Sequence, residues 1–144
     1  MDMTELRRQH DEISHIAHRL ALATADHANP RSVGAIRWQL ARQLMGHLAL
    51  EDRILYPALQ RADDAHTRTT ADTLQAETGA LAESFSSYMT AWSDDRVARE
   101  WADFCIATQA VIRALTERVD RENRTLYPLA DRIDNSAPPI ARAG

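Results

Sequence analysis

With 144 residues, 44% of them hydrophobic, and a formal net charge of -4, the chain is long enough to bury one domain core. It carries no basic footprint for nucleic acid or for a membrane surface. No apolar run approaches a membrane span, and Met1-Asp2-Met3-Thr4-Glu5 begins as an acidic helix start without a signal-peptide core, so the expected compartment is the cytoplasm. Only four glycines and five prolines occur, no segment alternates apolar and polar residues for long, and Ala, Leu, Arg and Glu dominate. The composition is all-α.

The first helix is expected to start near Asp2 or Thr4, with Glu5 placed to meet the macrodipole. Its apolar stripe reads Leu6, His10, Ile13, Ala17, Leu20, so His10 lies on the buried face. Asp26-His27-Ala28-Asn29-Pro30 is a turn, with Asn29 as N-cap and Pro30 in the first helical position. The second helix carries Val33, Ile36, Leu40, Leu44, His47, Glu51 and Ile54 on one face, and Pro57 bends it or ends its regular part. Arg61-Ala62-Asp63-Asp64 reads as the next turn. The third helix shows Leu74, Thr78, Leu81, Phe85, Tyr88 and Trp92, and Ser93 offers a fresh N-cap. The fourth carries Phe104, Val111, Leu115, Arg118, Glu122, Leu126, Leu129 and Ile133, and residues 136–144 read as a flexible tail. The single Cys105, between Phe104 and Ile106, reads as a small buried hydrophobe.

Within this pattern one stretch occurs twice. His47-Leu48-Ala49-Leu50-Glu51-Asp52-Arg53-Ile54-Leu55-Tyr56-Pro57 returns 71 residues later as Arg118 to Pro128. Glu51/Glu122, Arg53/Arg124, Leu55/Leu126, Tyr56/Tyr127 and Pro57/Pro128 match without a gap, whereas His47 corresponds to Arg118. His47 and Glu51 stand one helical turn apart and project from one face. The amphipathic helices and short connections predict a single antiparallel up-down-up-down four-helix bundle over residues 1–135. Counting from the first turn puts His10 and His47 at one level, and Leu74 and Thr78 fall level with Glu51. Glu122 fits less well, lying roughly ten residues farther from the turn at Ser93 than Thr78 does by helical rise.

A bundle with His-x-x-x-Glu followed by Leu-Tyr-Pro, a second Leu-Tyr-Pro after Glu122, and a further His10-Asp11-Glu12-Ile13 resembles the hemerythrin-like (HHE cation-binding) family over essentially the whole chain. The resemblance implies a non-haem di-iron centre inside the bundle, used to bind or sense oxygen or nitric oxide or to handle iron. It also implies histidines that this chain lacks. The fourth-helix histidine falls at Arg118 and the third-helix pair falls near Leu74 and Thr78, while all six histidines lie at or before residue 66. His10, His47, Glu51 and Glu122 remain.

Three readings of that cluster stand open. It holds a single ion, of non-haem iron or another divalent metal, on His10, His47, Glu51 and Glu122. Alternatively it is metal-free, with the Arg118 guanidinium neutralising both carboxylates, in which case Arg118→Ala costs roughly 3–5 kcal/mol. Lastly it is a weakened two-metal site completed by outside ligands. The metal-free reading is preferred here because of Arg118, and with it a small cytoplasmic sensor or regulatory protein working through a protein partner or as a homodimer. His15 and His18 read as solvated or interface histidines in preference to a second metal site, and His27 as a turn residue. Trp38, Trp92 and Trp101 read as packing residues, with an interface cap as the alternative for Trp92 or Trp101. Tyr56 and Tyr127 pack the bundle end, with the alternative that a tyrosine tunes a metal pocket. No nucleophile-base arrangement or phosphate loop supports an enzyme.

Overall fold

The computed structural model describes residues 2–135; the predicted tail, residues 136–144, lies outside the described residues. Among the described residues all regular structure is helical, in the order α1 (Thr4–Ala23), α2 (Gly34–Leu50), a π-helical turn (Glu51–Leu55), α3 (Tyr56–Gln60), α4 (Ala65–Ala91), α5 (Asp94–Arg99), α6 (Trp101–Arg121), a second π-helical turn (Glu122–Leu126) and α7 (Tyr127–Asn135). Each π turn joins its neighbours without a break, so residues 34–60 and 101–135 are continuous rods. The first rod packs on α1 and α4, and the second does the same.

Both π turns precede a proline, for a shared steric reason. A proline inside a regular α-helix clashes with the carbonyl four residues back and leaves it without a donor. Widening the turn removes the clash: the Tyr56 N–H reaches the carbonyl of Glu51 and that of Tyr127 reaches Glu122. The wide turn also shifts the register. Leu55 becomes fully buried while Ile54, expected on the apolar face, stays 43% exposed.

Three sequence expectations need correction near the other end. The second helix begins at Gly34, not at Pro30, and its N-cap position is Val33. Asn29 instead donates to the Asp26 carboxylate within a turn, and Asp26 also accepts from the Ala28 N–H. The Asp26 carbonyl is held by the Trp101 indole and Val33 is buried, which anchors the loop at both ends before the helix starts. Trp38 does not pack; it is 56% exposed. Between Ile36 and Trp38 the buried residue is Arg37, whose guanidinium donates to the Trp92 carbonyl and lies over the rings of Tyr88 and Phe104.

Asp64 caps α4 through the N–H groups of His66 and Thr67, and Ser93 caps α5 through that of Arg96. The helix that Ser93 starts is the short α5, and the long rod begins afresh at Trp101. Its six residues absorb part of the excess length expected between Ser93 and Glu122.

The buried apolar side chains form two clusters. One contains Ile13, Leu20, Leu40, Leu44, Phe85, Phe104 and Leu115; the other contains Leu6, Leu55, Tyr56, Leu74, Leu126 and Tyr127. On α1, α4 and both rods the chain passes from one cluster to the other through buried polar residues: His10 on α1, His47 and Glu51 on the first rod, Thr78 on α4, and Glu122 on the second rod. A polar layer therefore lies between two apolar ones.

Candidate metal centre

His10, His47, Glu51 and Glu122 each offer one ligand atom, and these four atoms lie within 4.8 Å of one another. All four residues are at most 2% exposed. His10 Nε2 is 3.0 Å from Glu122 Oε1, and His47 Nε2 is 3.3 Å from Glu51 Oε2. The rings of the two histidines are 4.7 Å apart. Burial of this many ionisable groups without water is costly unless something neutralises them.

The imidazoles are oriented from behind. His10 Nδ1–H donates to Asn123 Oδ1 and His47 Nδ1–H donates to Gln9 Oε1, both at 2.7 Å. These bonds set the tautomer, so each Nε2 lone pair faces the cluster. The carboxylates are oriented crosswise by the repeated tyrosines. Tyr56, on the rod of Glu51, donates to Glu122 Oε2 at 3.1 Å, and Tyr127, on the rod of Glu122, donates to Glu51 Oε2 at 2.7 Å. Tyr56 Oη also lies 3.3 Å from Thr78 Oγ1. Tyr127 stacks on His10, and its Oη lies 2.9 Å from His10 Nε2 and 3.4 Å from His47 Nε2.

Acceptors outnumber protons here. Two imine nitrogens and four carboxylate oxygens meet two phenolic protons, and Glu51 Oε1 is buried with no hydrogen-bond partner. Burial drives the carboxyls of Glu51 and Glu122 above the usual carboxylate range. Burial also lowers His47, with help from neighbouring His10, to about 4. For His10 burial acts the same way, but its bonds to Glu122 and Asn123 prevail and its pKa is raised. The phenols of Tyr56 and Tyr127 are pushed up by burial and by the two carboxylates, so both remain donors. A cation supplies what this donor-poor, acceptor-rich set lacks, and imidazole with carboxylate suits a first-row divalent ion. The residues present fit one.

The family model for the hemerythrin HHE cation binding domain matches residues 1–130. The chain belongs to that family. No curated protein and no solved structure matches it.

Against the expectations for an HHE domain, the structure brings together all four residues singled out in the sequence, His10, His47, Glu51 and Glu122. It does not bring Arg118 to them. The Arg118 Nη2 donates to Glu77 Oε2 on α4 at 2.7 Å, and Arg121 donates to the same oxygen. Residue 118 holds the place on this rod that His47 holds on the other, one turn before the glutamate, but it faces Glu77 on α4 whereas His47 faces Gln9 on α1. The guanidinium therefore does not neutralise the two carboxylates, and the ground for preferring a metal-free core is removed. Leu74 and Thr78 are buried as expected and contribute no imidazole; His15, His18, His27 and His66 are exposed. Cys105 is fully buried.

Gln9 and Asn123 were missed in the sequence. Each immediately adjoins a cluster residue, Gln9 beside His10 and Asn123 beside Glu122, yet each serves a histidine on another helix. The tyrosines were half seen: the Leu-Tyr-Pro repeat marked them, but only the π turns show that they reach the carboxylates. Among the described residues no helix is long and apolar enough to cross a membrane.

Proposed function

We propose that this HHE domain binds one divalent transition-metal ion, of the non-haem iron class, on His10, His47, Glu51 and Glu122. The observation that supports this reading is the convergence of four buried ligand atoms within 4.8 Å, two of them imidazole nitrogens aimed inward by Gln9 and Asn123. The two rods, α1 and α4 form an antiparallel up-down-up-down four-helix bundle around that layer, with α5 as an inserted turn. With two histidines, the domain is a reduced version of a five-histidine two-metal site, and its role is sensing or handling rather than catalysis. When bound, such an ion supplies a centre for small ligands such as oxygen or nitric oxide. The chain's residues hold the ligand atoms in place, keep water out through the two apolar clusters, and keep the phenol protons of Tyr56 and Tyr127 directed at the carboxylates.

Elemental analysis of untagged protein incubated anaerobically with ferrous iron tests this. Near one metal per chain is expected for the wild type, falling at least tenfold at matched free metal in His47→Ala. Unchanged metal content in that variant would move the site elsewhere, and no metal in the wild type would return the cluster to a proton-filled core.

A further inference from the structure

The four ligand residues are buried, yet one of them also forms part of a surface cleft. Between α1 and α2 lies a polar cleft of about 290 Å³, lined by Gln9, Glu12, Gln43, Gly46 and His47 together with two arginines. Its inner wall is the His47 ring, whose Nδ1–H is held by Gln9. The Gln9 amide nitrogen in turn donates to Glu5 on the surface, and Gln43 donates to Glu12 across the cleft. These are side-chain bonds between partly exposed groups, which exchange readily with water. At Gly46 the helix presents no side chain, and a Cβ built there meets no atom within 4 Å. A helix-interior glycine is unfavourable by itself. Here its absence of a side chain leaves the approach to His47 open.

We infer that this cleft is the route by which a metal ion enters the buried layer, with Gln9 as its movable gate. The inference rests on the metal-binding reading above and adds the path. An ion in the cleft meets the oxygens of Glu12, Gln9 and Gln43, which suit a partly hydrated divalent cation, and takes the place of Arg8 beside Glu12, an exposed ion pair that costs little to break. Rotation of Gln9 away from His47 then frees the imidazole to swing and passes the ion inward. Loss of one neutral hydrogen bond and its remaking in water is a small barrier, whereas opening either apolar cluster is not.

The test compares the rate of anaerobic ferrous iron uptake by metal-free wild type, Gly46→Leu and Gly79→Leu. Gly79 is a matched control: it lies in a helix, a Cβ there also meets nothing within 4 Å, and it is on α4, away from the cleft. Leucine at residue 46 should slow uptake at least fivefold while leaving final stoichiometry and helix content unchanged, and Gly79→Leu should load like wild type. Equal rates for all three would overturn the route. A lowered final stoichiometry in Gly46→Leu would also overturn it, because the substitution would then act on the site and not on access. No uptake by the wild type would instead be a failure of the metal-binding reading.

Discussion

At the scale of single residues, the carboxylates carry the cost of the site. Glu51 is fully buried, and one of its oxygens has no partner. Replacing it by glutamine removes that charge, keeps an oxygen for the Tyr127 hydroxyl, and puts an amide in place of the unpartnered oxygen, which can donate toward Glu122. Metal-free Glu51→Gln is therefore expected to be more stable than wild type at neutral pH by about 1–3 kcal/mol, the scale of an unsatisfied buried polar group. The sign of its pH dependence follows from linkage. Burial raises the Glu51 pKa above its ordinary value of 4.5, so its contribution to stability is fully present below that value and is lost as pH rises through the raised one. The advantage of the variant should thus grow from acid toward neutral pH and vanish near pH 4. His47 acts in the opposite sense in both proteins: its pKa falls to about 4, so its contribution is present above 6.5 and lost as pH falls toward 4. Melting curves of the two metal-free proteins between pH 4 and pH 8 check this; a constant difference would show that Glu51 does not change charge there.

The four ligand residues were readable from the chain because helical periodicity alone sets them on buried stripes, with His47 and Glu51 one turn apart. Their supports were not. Gln9 and Asn123 are polar residues flanking a stripe, and whether such a residue meets solvent or a neighbouring helix depends on how the helices sit together.

At the scale of elements, the four long helical segments followed from the apolar stripes, and the two prolines marked where each rod changes character. What periodicity could not give was the extra residue in each π turn, which exchanges Ile54 for Leu55 in the core and aims each tyrosine at the opposite carboxylate. The short α5 was also illegible, because Ser93 is a sound cap for either a short helix or a long one. Arg118 was misplaced for a related reason. Residue 118 stands one turn before Glu122 just as His47 stands before Glu51, but the neighbour it faces is α4 rather than α1, and the long arginine side chain reaches past the layer to Glu77 there. Its role is to tie α6 to α4 through Glu77, a pair in which the arginine side chain is 12% and the carboxylate 39% exposed. Arg118→Ala should accordingly cost about 1–2 kcal/mol, between an exposed pair and a buried one, be sensitive to salt, and leave metal content unchanged. A loss near 3–5 kcal/mol in urea titration would restore Arg118 as partner of the buried carboxylates.

At the scale of the whole molecule, the polar layer interrupts the core. The two apolar clusters would pack more simply as one, and the layer between them holds two carboxylates whose burial opposes folding. An ion bound there would join α1 to both rods at the level where apolar packing is weakest, so metal and fold stability should be linked. A ligand that binds only the folded state at a hundred times its dissociation constant adds about 2.7 kcal/mol, which for a domain of this size is several degrees of melting temperature. Ferrous iron should raise the melting temperature of wild-type protein by that amount under anaerobic conditions, and a chelator should reverse it. In His47→Ala the shift should shrink to a degree or less, since the remaining groups cannot complete the shell. A stoichiometric metal that left the melting temperature unmoved would have to sit outside the layer, because an ion among these four side chains cannot be indifferent to whether the helices that carry them are assembled.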